Sequence, residues 1–215
     1  MMRRAMHAER LLGAISHRRL CTAGFSNLPL KSELVQALAR MGVHAPNAVQ
    51  SEALPLALRG NDLTICAWTG SGKTLMFLLP ILQRLSDLPA GADAPEALVL
   101  VPTPELALQI ASVAQSLAAP LPEPPTIACV VPEDFTQPDH HPTDQTARLV
   151  IATPGALLCR LRDSSLVASA LAMVAIDEVR ACAWLAYFQG LQSDSLPLTL
   201  APGSTRGRPP GRRAL

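Results

Sequence analysis

The chain has 215 residues, enough for one α/β domain with a sizeable core and extensions at its ends. It is 49% hydrophobic, yet it has no uninterrupted run of about 18 apolar residues, which argues against a membrane-spanning helix. The net charge of +1 conceals an uneven distribution: residues 1–24 carry five arginines against Glu9, residues 200–215 carry four arginines and no acid, and residues 25–199 hold 9 basic and 16 acidic groups, a balance of −7. A globular part charged in this way lacks the electrostatic footprint of a nucleic-acid binder, so any such function has to rest on motifs. Cys21, Cys66, Cys129, Cys159 and Cys182 form no CxxC pair, which fits reduced thiols better than a disulfide framework or a zinc site.

Residues 1–24 interleave Arg3, Arg4, Arg10, Arg18 and Arg19 with Met6, Leu11, Leu12, Ile15 and Leu20. An Arg-rich, acid-poor, amphipathic start reads as an organelle transit peptide, mitochondrial before plastid, the alternatives being a basic arm of a cytoplasmic protein or upstream sequence with no role. Leu30 to Met41 then has helical periodicity, with Ser32 as a candidate cap and Gly42 as the stop; a second helix is expected over Val49 to Arg59, interrupted by Pro55. Leu63 to Ala67 reads as a buried strand, and Lys73 to Leu85 as a helix that Pro80 kinks or ends early. Further strands are expected at Ala97 to Val101, Thr126 to Val131, Leu149 to Ala152 and Met173 to Ile176. Helices are expected at Pro104 to Ala118, with proline at the first position, and at Ala156 to Leu161. This alternation predicts a mostly parallel sheet with helices on its faces. Pro132 to Thr146 reads as an exposed loop whose His140 and His141 lack partners at metal-ligand spacing, and Ala201 to Leu215 reads as a disordered Gly/Pro/Arg tail.

The strand expected at Leu63–Ala67 runs into Ala67-Trp68-Thr69-Gly70-Ser71-Gly72-Lys73-Thr74, followed by a helix. This is the Walker A pattern with alanine in place of its first glycine. Gly70 and Gly72 let the backbone turn and aim successive N–H groups inward, and the following helix offers its positive end to the same anion. Lys73 supplies a point charge for the β- and γ-phosphates of a nucleotide, and the Thr74 hydroxyl a ligand for Mg²⁺. Asp177 and Glu178 close the apolar strand at Met173 to Ile176. Carboxylates at the C-terminal end of a strand in such a sheet enter the ligand crevice, where Asp177 would hold Mg²⁺ through water and Glu178 would orient and deprotonate an attacking water.

At this point the sequence resembles the first, N-terminal RecA-like domain of DEAD-box RNA helicases, over Phe25 to about Glu178. Phe25, Gly42, Pro46 and Gln50 follow the order and spacing of that family's adenine-recognition motif. The resemblance implies that Phe25 packs on adenine and Gln50 hydrogen-bonds its edge, and that Ala67, Thr69, Gly70, Ser71, Gly72, Lys73 and Thr74 cradle the phosphates of ATP. Pro102 to Ala107 is similar to the family's PTRELA motif, and Thr153 to Ala156 to its TPGR motif, segments that hold the RNA backbone. The resemblance therefore implies RNA contacts at Thr103, Thr153 and Gly155.

The sequence departs from the pattern in several places. Pro104 and Ala156 stand where the family has arginines, Pro132-Glu133 where it has a diglycine, and Arg180 where it has the last acid of its signature. The resemblance thus implies ATP and Mg²⁺ binding that outlasts RNA affinity and coupled unwinding. Residues 25–180 form the expected ATP-binding domain and 181–215 a divergent, largely disordered end, as of a truncated form, a fragment or a frame-shifted reading. Without a second RecA-like domain, the expectation is slow hydrolysis and no unwinding by this chain alone, unless a partner chain supplies that domain. The alternative is a non-catalytic, nucleotide-dependent adaptor that binds RNA or protein.

Overall fold

The computed structural model describes residues 24–68, 70–89, 94–132, 146–164, 166 and 169–178. The expected transit segment (residues 1–23 of it), most of the 132–146 loop, Thr69, Arg180 and the end from residue 181 lie outside the described residues.

A single 3-10 turn, Phe25–Asn27, leads into α1 (Ser32–Arg40) and α2 (Ala48–Ala57). After the glycine loop come α3 (Lys73–Asp87), β1 (Ala97–Leu100), α4 (Pro104–Ala118), β2 (Ile127–Val130), β3 (Leu149–Ala152), α5 (Pro154–Arg162) and β4 (Met173–Ile176). The four strands form one sheet in the order β2-β3-β1-β4. Every pairing is parallel, with Leu100 opposite both Ala152 and Ile176. Of the three neighbouring pairs only β2 and β3 follow one another in the chain, and because all three pairs are parallel each connection crosses over instead of turning back as a hairpin.

Strand side chains alternate between two apolar clusters. Ala97, Val99, Ile127, Leu149 and Ile151 join the larger one with Leu34 and Leu38 of α1, Leu78 and Leu82 of α3, and Ile110 and Leu117 of α4. Leu98, Ala128, Val130, Val150 and Ala152 face the other way, onto Leu157 of α5 and Leu166. Helices therefore cover both faces, and β3 is buried along its whole length, as a central parallel strand should be. β4 alternates instead: Met173 and Ala175 pack toward the larger cluster, whereas Val174 and Ile176 are 58% and 46% exposed.

Three expectations change. Leu63 to Ala67 forms no ladder; Leu63 and Cys66 are exposed. Both sides of β1 and of β3 are already taken, and the segment pairs with neither open edge of the sheet. Without a ladder to a neighbouring strand, its strand-favouring residues do not make a strand on their own. Pro80 does not end α3, which continues to Asp87 because Leu78, Leu79, Ile81, Leu82 and Leu85 anchor the helix on both sides of it. The cap position of α1 is Lys31, while the Ser32 hydroxyl donates to Glu33. Gly42 does stop α1, at φ +77, with Val43 N–H returning to the Leu38 carbonyl.

Candidate nucleotide site

Because all strands run parallel, the loops after β1, β3 and β4 gather at one edge of the sheet. Thr103 caps α4 there, its hydroxyl accepting from Leu106 N–H at 3.3 Å. Thr153 is buried at the cap position of α5, and Gly155 lies in that helix's first turn. Asp177 continues β4 with its N–H on the Leu100 carbonyl at 2.9 Å, and its Oδ1 accepts from Glu178 N–H at 3.0 Å. Glu178 has φ +50, a left-handed conformation uncommon outside glycine, and its side chain is exposed. The sheet thus brings together Thr103, Thr153, Gly155, Asp177 and Glu178, the residues read from three separate motifs.

The glycine loop is built as its sequence requires. Gly70 and Gly72 adopt φ +82 and +72, and Gly72 caps α3. A Cβ at position 72 would run into Gln50 Nε2. Lys73 opens α3 and donates from Nζ to the carbonyl oxygens of Ala67 and Trp68, each at 3.0 Å. The Ser71 hydroxyl is buried and has no hydrogen-bond partner among the described residues. A cation resting on neutral carbonyls, an orphaned hydroxyl and a left-handed glycine at a helix N-terminus together suit a phosphate group. Thr74 lines a pocket of about 200 Å³ on the side of α3 that meets α4, with Leu75, Leu106 and Ile110.

Phe25 is buried in the larger cluster, and Gln50 is only 3% exposed. Gln50 belongs to a capping box at the start of α2: its Oε1 accepts from Asn47 N–H and its own N–H donates to Asn47 Oδ1. Its Nε2 donates to the Gly72 carbonyl at 3.1 Å, and Asn47 Nδ2 donates to the Ser71 carbonyl at 2.8 Å. Asn47 is the site residue that reading the sequence missed. The N-x-x-Q spacing of a capping box was visible, but nothing in it says that the cap also reaches a loop two dozen residues away.

The parallel sheet, the phosphate-type loop and the carboxylates beyond β4 define a RecA-like P-loop domain. Comparison with known proteins agrees: the DEAD/DEAH box helicase family model matches residues 47–184. The chain belongs to that family. It is 42% identical over 143 residues to the human probable ATP-dependent RNA helicase DDX49, covering 66% of this chain and 29% of that protein. It is 37% identical over 155 residues to the ATP-dependent RNA helicase SrmB of Haemophilus influenzae, covering 72% and 35%. Among solved structures it is similar to the RNA helicase Prp28 from Chaetomium thermophilum bound to ADP, with TM-score 0.63, 32% identity and coverage of 79% of this chain and 41% of that one. S. cerevisiae Dbp5 bound to Gle1 and IP6 superposes with TM-score 0.64 at 26% identity, covering 75% of this chain and 40% of that one. The chain spans about a third of the length of the two curated relatives.

Proposed function

We propose that this RNA-helicase-like domain binds ATP with Mg²⁺ and is the nucleotide-binding half of an ATP-dependent RNA helicase. The observation that carries the reading is the loop itself, in which left-handed Gly72 sets Lys73 at the head of α3 beside the unpartnered Ser71 hydroxyl. Lys73 would leave the Ala67 and Trp68 carbonyls for the β- and γ-phosphates, because a charge-assisted bond to phosphate is stronger than one to a neutral carbonyl. Thr74 and, through water, Asp177 would hold Mg²⁺, which neutralises phosphate charge. Glu178 would orient and deprotonate the attacking water. The adenine contacts assigned to Phe25 and Gln50 require these two buried side chains to come partly free on binding.

RNA binding is proposed at the cap positions Thr103 and Thr153 and at Gly155. It is weakened by Pro104, which removes an arginine charge and also has no N–H to offer at the first position of α4, and by Ala156. These two positions favour the second reading, an adaptor that binds nucleotide without coupled unwinding. Unwinding would need a second RecA-like domain in addition to this one. ATP hydrolysis by the purified chain, with and without single-stranded RNA and beside Glu178→Gln, separates the readings. RNA-stimulated turnover lost in the variant supports the helicase; ATP binding without turnover supports the adaptor; absence of ATP binding sinks both.

A further inference from the structure

The N-terminus of α2 is tied to the glycine loop through two loop carbonyls, and the orientation of a peptide unit follows from where its carbonyl points. In a trans peptide the C=O and the next residue's N–H point in opposite directions. Asn47 Nδ2 holds the Ser71 carbonyl at 2.8 Å, so the Gly72 N–H is aimed away from α2. Gln50 Nε2 holds the Gly72 carbonyl at 3.1 Å, and Leu75 N–H shares it at 3.2 Å, so the Lys73 N–H is aimed out of the start of α3. These two N–H groups are the donors a phosphate in the loop would meet first, since first-turn donors have no partner within their own helix.

We propose that Asn47 is a positioning residue of the phosphate cradle. Its carboxamide caps α2 through Oδ1 and, through Nδ2, fixes the rotation of the Ser71–Gly72 peptide so that the loop meets phosphate with its donors already aimed. The inference rests on the nucleotide-binding reading above and extends it to a residue outside the loop. It also explains why Gly72 has no room for a side chain: the space is filled by the Gln50 amide that holds the neighbouring peptide. The clamp acts on the phosphates alone. Asn47 therefore contributes to affinity for any polyphosphate and leaves the choice of base unchanged.

Two variants of the full chain have the loss of the Nδ2 bond in common. Asn47→Asp retains a helix-capping oxygen but has no donor for the Ser71 carbonyl; Asn47→Gly is neutral and is tolerated at cap positions. The probe is inorganic triphosphate with Mg²⁺, which has no base, titrated calorimetrically beside MgATP and MgGTP. Both variants should melt close to the wild type. Both should lose triphosphate and ATP affinity by a similar factor, on the order of fivefold to tenfold for one lost hydrogen bond in a preorganised site. The ratio of ATP to GTP affinity should not move. Loss in Asn47→Asp alone would be repulsion by the added carboxylate and overturns the clamp, as does wild-type triphosphate affinity in a folded Asn47→Gly. A wild-type chain that binds neither triphosphate nor ATP removes the nucleotide-binding reading and this inference together, whereas a wild type that binds both while the variants are unaffected removes this inference only.

Discussion

Lys73 Nζ lies 3.0 Å from the carbonyl oxygen of Ala67, six residues back, so the cation of the glycine loop rests on the loop's own backbone dipoles. Neutral carbonyls leave its charge unspent, and a polyphosphate competes with them directly. MgATP at a hundredfold excess over Kd should stabilise the chain by about 2.7 kcal/mol. Lys73→Ala should abolish that gain while changing the unliganded melting point little, because the side chain is only partly buried. Thermal melts with and without MgATP check both statements.

At the opposite edge of the sheet, Glu96 and Arg148 precede β1 and β3 and form a buried ion pair of 2.6 Å between Oε1 and Nε. Arg148 Nη2 has no hydrogen-bond partner among the described residues. Glu96→Ala, which strands a buried guanidinium, should cost about 3–5 kcal/mol in urea unfolding. Replacing both residues with methionine should recover most of that loss. If the single and double variants unfold alike, the pair is not what secures this edge.

Lys31 at the head of α1 bonds the end of α3 through the Ser86 carbonyl and through Asp87 at 3.0 Å. Burial pushes the Asp87 carboxyl up, but hydrogen bonds from Lys31 and Gln83 and the charges of Lys31 and Arg84 outweigh it, holding the group below its ordinary value. A depressed folded-state pKa adds stability above the unfolded value, near 3.9, and that contribution disappears as the pH falls through the folded one. Asp87 is half exposed, so Asp87→Asn should cost less than about 1 kcal/mol at neutral pH. The difference from wild type should vanish at the acid end of a series of melts.

Met173 and Asp177 direct their N–H groups to β1, at Glu96 and Leu100, so the backbone groups of Val174 and Ile176 between them face the edge that no described strand covers. Their side chains are also exposed on the face away from the larger core. A bare apolar edge is a template for pairing with other chains. Val174→Lys should reduce concentration-dependent association in sedimentation velocity and leave the melting point within about a degree, as for a surface substitution.

The elements that could be read from the sequence are those whose signals are local. Pro104 at the first position of α4, Gly42 after α1 and the apolar runs of β1, β3 and β4 each settle within a few residues of where the pattern places them. Lys73 and the glycines were legible for the same reason: backbone conformation at Gly70 and Gly72 is a property of those residues themselves. What was not legible depends on partners distant in the chain. Leu63 to Ala67 has strand-like residues but pairs with no described strand, and Pro80 is overruled by five buried neighbours in α3. Gln50 stands out by its spacing, yet its bond to the Gly72 carbonyl, and that of Asn47 to Ser71, appear only once α2 and α3 are packed together.

The strand order β2-β3-β1-β4 also has a consequence for how the protein is made. β1 is synthesised first, yet its two neighbours are residues 149–152 and 173–176. On the ribosome the helices can begin to form while β1 still waits with both flanks unpaired, and the sheet cannot close until Ile176 has emerged. Non-local pairing of this kind is slow to form and leaves apolar strands open to other contacts in the meantime. The residue that completes the described sheet is followed at once by Asp177 and Glu178, so these carboxylates reach the end of the sheet only in the last step of its assembly.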